Sequence, residues 1–384
     1  MKDGMLKIIA VLLLLLVVFV VLYAIRNLSY DYSGEKFRKS RAFSLGLKEK
    51  QFYLNDGNVI NYVEGPNNGS AMLLLHGQMV DWKDYRFVLP ELIKDFHVFA
   101  LDYYGYGKSS KNPDLYNIER IGSDIALFIQ EKIGSNAIIS GHSSGALIAA
   151  YIAAKYPENL KAIILEDGPF FATEKGRAEN TFSYKTFQNI YNYLAEKPNI
   201  TYFEYYLNND PMRALFNKDG KDNWNKIVAK PAMKIFRKDM TKIPIIWYYT
   251  PKLGVNTLLQ LTANLQDKTG DYDLRFGSTF YDFSFFNCIK QRELLKQIHI
   301  PTCIFHVKPP KNTAPSYYNE EGILISAMDE KDAKLVKELI HGSILVEGFD
   351  SMHNIHVEKP KEYLKKVIEF LDDIDELKII GENT

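Results

Sequence analysis

The pentapeptide Gly141-His142-Ser143-Ser144-Gly145 constrains this chain more than any other stretch of it. It follows the apolar run Ala137-Ile138-Ile139 and precedes the small-residue pattern Ala146-Leu147-Ile148-Ala149-Ala150-Tyr151. A strand therefore enters a sharp turn, Ser143 sits at its apex, and a helix leaves directly behind it. That is the G-x-S-x-G spacing of a nucleophile elbow. The turn strains the serine backbone, and the flanking glycines leave room where side chains would strike the neighbouring strand and helix. An ordinary glycine-rich turn has the same letters. The strand before and the helix after favour the catalytic reading.

Three further segments fall in order around it. Met72-Leu73-Leu74-Leu75-His76-Gly77-Gln78 reads as a buried strand running into a tight turn. Ala100-Leu101-Asp102-Tyr103-Tyr104-Gly105-Tyr106-Gly107-Lys108-Ser109-Ser110 reads as the next strand and a glycine-opened loop. Late in the chain, Gly348-Phe349-Asp350-Ser351-Met352-His353 precedes Val357-Glu358-Lys359-Pro360 and a final amphipathic helix. Together these motifs resemble the α/β-hydrolase superfamily, in the serine hydrolase branch with a cap domain. The resemblance covers residues 50 to 375 apart from a poorly matching middle.

The alternation of elements agrees with that resemblance. A strand pair, residues 50–54 and 59–63, is joined across Asn55-Asp56-Gly57-Asn58, a hairpin signal. Strands are then expected at 72–75, 98–102, 137–140 and 162–165, with helices at 82–94, 118–133 and from Ser144. This predicts an α/β fold, a mostly parallel sheet flanked by helices, with ligands at the carboxyl ends of the strands. His76-Gly77, Asp102, Ser143 and Asp167 all fall there. Between Pro169 and Arg292 the alternation stops and aromatics crowd in, among them Phe170-Phe171, Tyr205-Tyr206 and Trp247-Tyr248-Tyr249. A mainly helical cap insertion over 169–292 is expected, broken at Pro198, Pro211, Pro231, Pro244 and Pro251. Its rings either line an apolar substrate pocket or fill the cap's own core. The sheet resumes at 302–307 and 343–346, so residues 50–168 and 293–375 form the core.

Ile8 to Ile25 is a run of about 18 apolar or aromatic residues, roughly enough to cross a bilayer. It carries no charge, Gly or Pro. A cleaved signal peptide has a shorter apolar region and a small-x-small exit, whereas this run exits through Leu22-Tyr23-Ala24-Ile25-Arg26. Residues 1–26 are therefore expected as an uncleaved, single-pass anchor whose partner is the bilayer through residues 8–25. Residues 27–49, polar with little periodicity, are expected as a juxtamembrane stalk. Only Lys2 and Lys7 precede the span, while Arg26, Lys36, Arg38, Lys39 and Arg41 follow it. The positive-inside rule would hold the body in the cytoplasm. A long folded domain behind a short tail is nonetheless exportable, and the extracytoplasmic face is preferred.

Lys+Arg and Asp+Glu balance at 47 each, which leaves no basic field for nucleic acid. Cys288 and Cys303 are the two cysteines, without C-x-x-C spacing, so they suggest no zinc knuckle or redox pair. A disulfide between them has only the even count in its favour.

Ser143 needs a base, because a free hydroxyl is a poor nucleophile near neutral pH. His353, in a loop after the last strand, is the candidate; His356 fits a packing position before the next helix. The pair lacks H-E-x-x-H spacing and a third ligand, so no metal is expected, and no cofactor. The resemblance places the oxyanion donors at the backbone N–H groups of Gln78 and Ser144, where side-chain identity is not diagnostic. It also puts an aspartate just after the seventh strand. Here Ile304-Phe305-His306-Val307 runs into Lys308-Pro309-Pro310-Lys311-Asn312, with no acid. Asp167 at the end of the sixth strand ranks ahead of Glu321 (or its neighbour Glu320) and Asp329. Asp329 itself reads as a helix N-cap.

The resemblance implies a serine hydrolase working through an acyl-enzyme on a small ester or amide. With the apolar run at 8–25 and the aromatics of 169–292, the reading is a membrane-anchored hydrolase of an apolar or aromatic substrate. Serine at the elbow argues against epoxide hydrolases and dehalogenases, which use aspartate there. A catalytically silent binding module at the cell surface is the rival that the missing acid favours, and an acyltransferase is a third reading.

Overall fold

The computed structural model describes residues 2–217, 220–264, 271–287, 289–311 and 313–382. Eight strands form one sheet in the order β1-β2-β4-β3-β5-β6-β7-β8. These are β1 (Lys48–Tyr53), β2 (Val59–Glu64), β3 (Ser70–Leu75), β4 (Phe96–Asp102), β5 (Ala137–His142), β6 (Leu160–Glu166), β7 (Thr302–Val307) and β8 (Ile344–Phe349). β1 pairs with β2 and β2 with β4 in antiparallel fashion, and every later pairing is parallel. β3, β5, β6 and β7 sit centrally, with almost every residue buried. Such strands read as continuous apolar runs because helices cover both faces.

Two buried clusters divide the core. One holds Leu73, Leu75, Ile139 and the helix Ser144–Lys155 and continues into the cap aromatics. The other holds Met72, Leu74, Ile138, Ile164 and the closing helix Pro360–Glu382, with Tyr363, Val367 and Phe370 buried. The helix expected over 82–94 is a 3-10 turn at Trp82–Phe87 followed by an α-helix at Leu89–Asp95. Pro90 stands in that helix's first turn, where its missing N–H costs nothing.

Between β6 and β7 the chain is helical, with helices at Phe182–Glu196, Tyr202–Asn209, Met212–Phe216, Lys230–Phe236, Val255–Asn264 and Leu274–Tyr281. Pro231 does not break this region as its residue type suggests. A π turn at Asn225–Ala229 runs directly into Lys230–Phe236, with Pro231 in the latter's first turn. Most of the rings pack on one another: Phe276 lies 4.9 Å from Tyr106 and 5.6 Å from Phe285, and Phe203 lies 4.6 Å from Phe236.

The amino-terminal helix Lys2–Leu28 is long and apolar enough to cross a membrane, with a mean hydropathy of 3.5 over its most apolar window. None of that window is buried in the body. The segment expected as a stalk behaves differently. Phe37 is buried 6.3 Å from the Trp82 ring, and Glu35 bonds Lys83 at 2.6 Å. Tyr32 and Leu47 are buried as well. Asn27 donates to the Trp247 carbonyl at 2.8 Å. Residues 27–49 thus form a strap folded onto the body. Its apolar residues are too few and too irregularly spaced to announce this as periodicity.

Candidate active site

Ser143 has φ +54° and ψ −119°, a conformation L-residues rarely adopt. The elbow holds it there. A Cβ on Gly141 would stand 2.2 Å from the Gly145 carbonyl oxygen, and one on Gly145 would stand 2.2 Å from the Leu75 oxygen. Strand β5, the turn and the helix Ser144–Lys155 therefore close only with glycine at both places. The Ser143 N–H donates to the Glu166 carbonyl at 2.9 Å, fastening the turn to the end of β6.

The residue directly after β6 is Asp167, fully buried, with φ +43°. Its N–H donates to the Phe305 carbonyl of β7, and the side chain is left facing two imidazoles. His353 Nδ1 donates to Asp167 Oδ2 at 2.7 Å, and His306 Nδ1 lies 3.3 Å from Oδ1. Burial opposes the carboxylate's charge, but the two histidine contacts outweigh it and hold its pKa below the usual range. Burial likewise opposes charge on His353, and the Asp167 hydrogen bond and charge overcome it, so that imidazole titrates above its ordinary value. The neighbouring His142 ring, 4.6 Å from His353, is buried and held far below its ordinary pKa, so it adds no competing charge.

Of the other carboxylates weighed from sequence, Asp329 caps the helix Glu330–Leu339 in a reciprocal box with Asp332, and Arg177 pairs with both. Glu320 and Glu321 lie exposed in the preceding loop. Among the described residues it is Asp167, and neither of these glutamates, that hydrogen-bonds His353 Nδ1. The structure brings Asp167 to His353, and leaves the others elsewhere.

The turn after β3 lies against the elbow: a Cβ on Gly77 would come 2.8 Å from His142 Nδ1 and 3.0 Å from Ser143 Cβ. This sets the Gln78 backbone beside Ser143. Ser144 opens its helix, whose first N–H groups have no intrahelical acceptor. The Gln78 side chain proves more specific than its sequence position suggests. Its Oε1 accepts from Tyr106 at 2.6 Å and from cap residue Tyr272 at 3.0 Å, which turns a buried Nε2 without a protein partner the other way. Tyr103 bonds Ser144 Oγ at 2.9 Å. Ser143 itself is only 9% exposed.

His356 is not a mere packing residue. Its Nδ1 lies 2.9 Å from Glu166 and its Nε2 3.2 Å from Asp84, and its backbone N–H also donates to Glu166. Glu166 and Asp167 are consecutive: Asp167 grips His353 in the loop after β8, and Glu166 grips His356 in the short helix Ile355–Glu358 that follows. Burial opposes the His356 charge, but the two carboxylates raise its pKa to about 10. Because that value exceeds the unfolded one, the stabilisation is complete below about pH 6.5 and is lost as pH rises through about 10. His356→Ala should lower the unfolding free energy by about 3–5 kcal/mol, since it strands two buried carboxylates. Urea unfolding at pH 6 and pH 10 checks this: the gap between wild type and variant should shrink at the higher pH.

Sequence reasoning missed His306 and the Glu166–His356–Asp84 chain. His306 had a signal, as a histidine in a strand otherwise apolar; Asp84 had none. Cys303 is free and buried in β7, its thiol pushed up to about 12 by burial. Cys288 lies outside the described residues. Among the described residues no three His, Cys, Asp or Glu side chains converge as a metal-ligand set.

A family model described as alpha/beta hydrolase fold matches residues 70–306. Bifunctional epoxide hydrolase 2 of Sus scrofa is 32% identical over 114 residues, which is 29% of this chain and 20% of that protein. Serine hydrolase-like protein of Homo sapiens is 29% identical over 131 residues, 34% of this chain and 64% of that one. The matches thus span less than two thirds of these relatives' own length. Among solved structures, a membrane phospholipase A described as a novel bacterial virulence factor aligns with a TM-score of 0.53 at 20% identity. That alignment covers 98% of this chain and 99% of the other, and shows a shared fold.

Proposed function

The chain belongs to the α/β-hydrolase fold family, and from that premise we propose that it is a membrane-anchored serine hydrolase cleaving an ester or amide through an acyl-enzyme. The observation that carries the reading is the 2.7 Å contact of His353 Nδ1 with Asp167, on the strand end bonded to the strained Ser143 turn. Ser143 Oγ attacks the carbonyl carbon while His353 Nε2 takes its proton. Asp167 stays ionised and stabilises the imidazolium. The oxygen that gains charge is received by the backbone N–H groups of Gln78 and Ser144, a contribution of about 3–4 kcal/mol per donor in comparable sites. His353 returns the proton to the leaving alcohol or amine. It then takes a proton from water as that water attacks the acyl carbon, which frees the acid and restores Ser143.

Serine rather than aspartate at position 143 separates this chain from epoxide chemistry, although relatives carry epoxide hydrolase names. The silent binding module draws its support from the missing acid after β7; the Asp167–His353 contact offers an acid from the end of β6 instead and supports the catalytic reading. An apolar or aromatic ester is the substrate class in keeping with the aromatic side chains near Gln78, Tyr106 and Tyr272 among them. The helix Lys2–Leu28 supplies a single-pass anchor with the body on the extracytoplasmic face.

The test is labelling of the full chain in membranes with a fluorophosphonate probe. Native protein should label within minutes and heat-unfolded protein should not. Failure of folded protein to label would sink the serine mechanism. Turnover with an added alcohol acceptor separates hydrolysis from acyl transfer, with free acid the expected main product.

A further inference from the structure

The cap touches the anchor at the place where the anchor leaves its apolar run. Tyr23 donates to the Tyr248 carbonyl at 3.3 Å and Asn27 to the Trp247 carbonyl at 2.8 Å. Four residues of helix separate these two donors, about 6 Å along the axis. Both rings of that cap segment nevertheless turn outward: Trp247 and Tyr248 are each 41% exposed, and Leu253 is 61% exposed. The segment is held rigidly. The Asn256 side chain accepts from the Ile246 N–H and donates towards the Ile246 and Tyr249 carbonyls and the Tyr32 hydroxyl of the strap. Leu28 and Tyr30, both exposed, follow directly in the chain after Asn27, which bonds Trp247, and Arg26 and Lys252 are exposed as well.

Rings with an apolar body and a polar edge, fixed to a spanning helix at its exit, match the composition of a membrane–water boundary. We propose that residues 247–253 of the cap, with Leu28 and Tyr30, form a second membrane contact seated at the headgroup–acyl boundary. It docks the hydrolase body onto the lipid surface instead of leaving it suspended above. The proposal rests on the reading that Lys2–Leu28 spans the bilayer, and it commits the body to one side and one facing.

Trp247 serves as its own reporter. Trp82 and Trp224 are 2% and 0% exposed, so Trp247 is the tryptophan that lipid can reach. The full chain is reconstituted into phosphatidylcholine vesicles with ordinary or brominated acyl chains, and tryptophan emission is compared, alongside Trp247→Phe and carbonate extraction. The expected result is a loss of emission in brominated vesicles for wild type and no loss for Trp247→Phe. Equal emission in both vesicles from protein that resists carbonate overturns the docking while leaving the anchor intact. Quenching that persists in Trp247→Phe also overturns it. Protein stripped by carbonate overturns the anchor, and the docking with it.

Discussion

Ser143→Ala should lower kcat at least about 10⁴-fold while the protein stays folded. The reaction as read here has one nucleophile, and no neighbouring hydroxyl occupies its place: Ser144 Oγ is engaged by Tyr103 at 2.9 Å. What survives is the activity that the oxyanion donors and substrate binding give to a water molecule. The measurement is turnover on the best ester found, beside thermal unfolding. Alanine keeps the φ of +54° under strain, so the midpoint should barely move. Glycine tolerates that φ, and Ser143→Gly should relieve strain of about 1–3 kcal/mol in the native state, offset in part by the looser unfolded chain. An enzyme that loses activity but gains stability in this way identifies a backbone held in tension for the reaction. Retained turnover in Ser143→Ala would remove the acyl-enzyme altogether.

Asp167→Asn should cost about 10⁴-fold in kcat, because the amide favours the wrong imidazole tautomer and no longer stabilises the imidazolium. The pH profile separates this role from damage to the fold. His353 must be neutral to act as base, and its pKa lies above the ordinary 6.5. Wild-type kcat/KM should therefore fall as pH drops through a value above 6.5. In Asp167→Asn the limb should move to lower pH, since the charge that raised it is gone. Asp329→Ala is the contrast: it loses an N-cap, about 1 kcal/mol of stability, and leaves activity and the pH limb in place. Glu321→Gln, exposed in its loop, should change neither.

The central strands were legible because burial on both faces writes itself as unbroken apolar runs, as in Met72–Leu75 and Ile138–Ile139. The elbow was legible because only glycine fits against the Leu75 and Gly145 carbonyls. The carboxylate that meets His353 was legible only as a ranking. Asp167 stands on a strand end like many other carboxylates, and no local pattern states that the loop after β8 returns to it. That closure is a contact across 186 positions. The strap was illegible for a related reason. Phe37 and Tyr32 bury single rings at irregular spacing, and the Glu35–Lys83 bond spans 48 positions. Pro231 misled in the opposite direction, because a preceding π turn lets the helical run begin afresh one residue before it.

The strap changes what kind of catalyst a membrane would hold. A body on a loose leash explores a volume, and its encounters scale with solute per litre. Here residues 29–47 lie pinned to the body through Phe37, Glu35 and Tyr32, so Ser143 keeps one height and one bearing relative to the exit of the helix. On the proposed anchor, and with a substrate that partitions into the leaflet, such an enzyme would work in two dimensions. Its rate would then follow the mole fraction of substrate in the leaflet, and inert lipid added at constant total substrate would slow it.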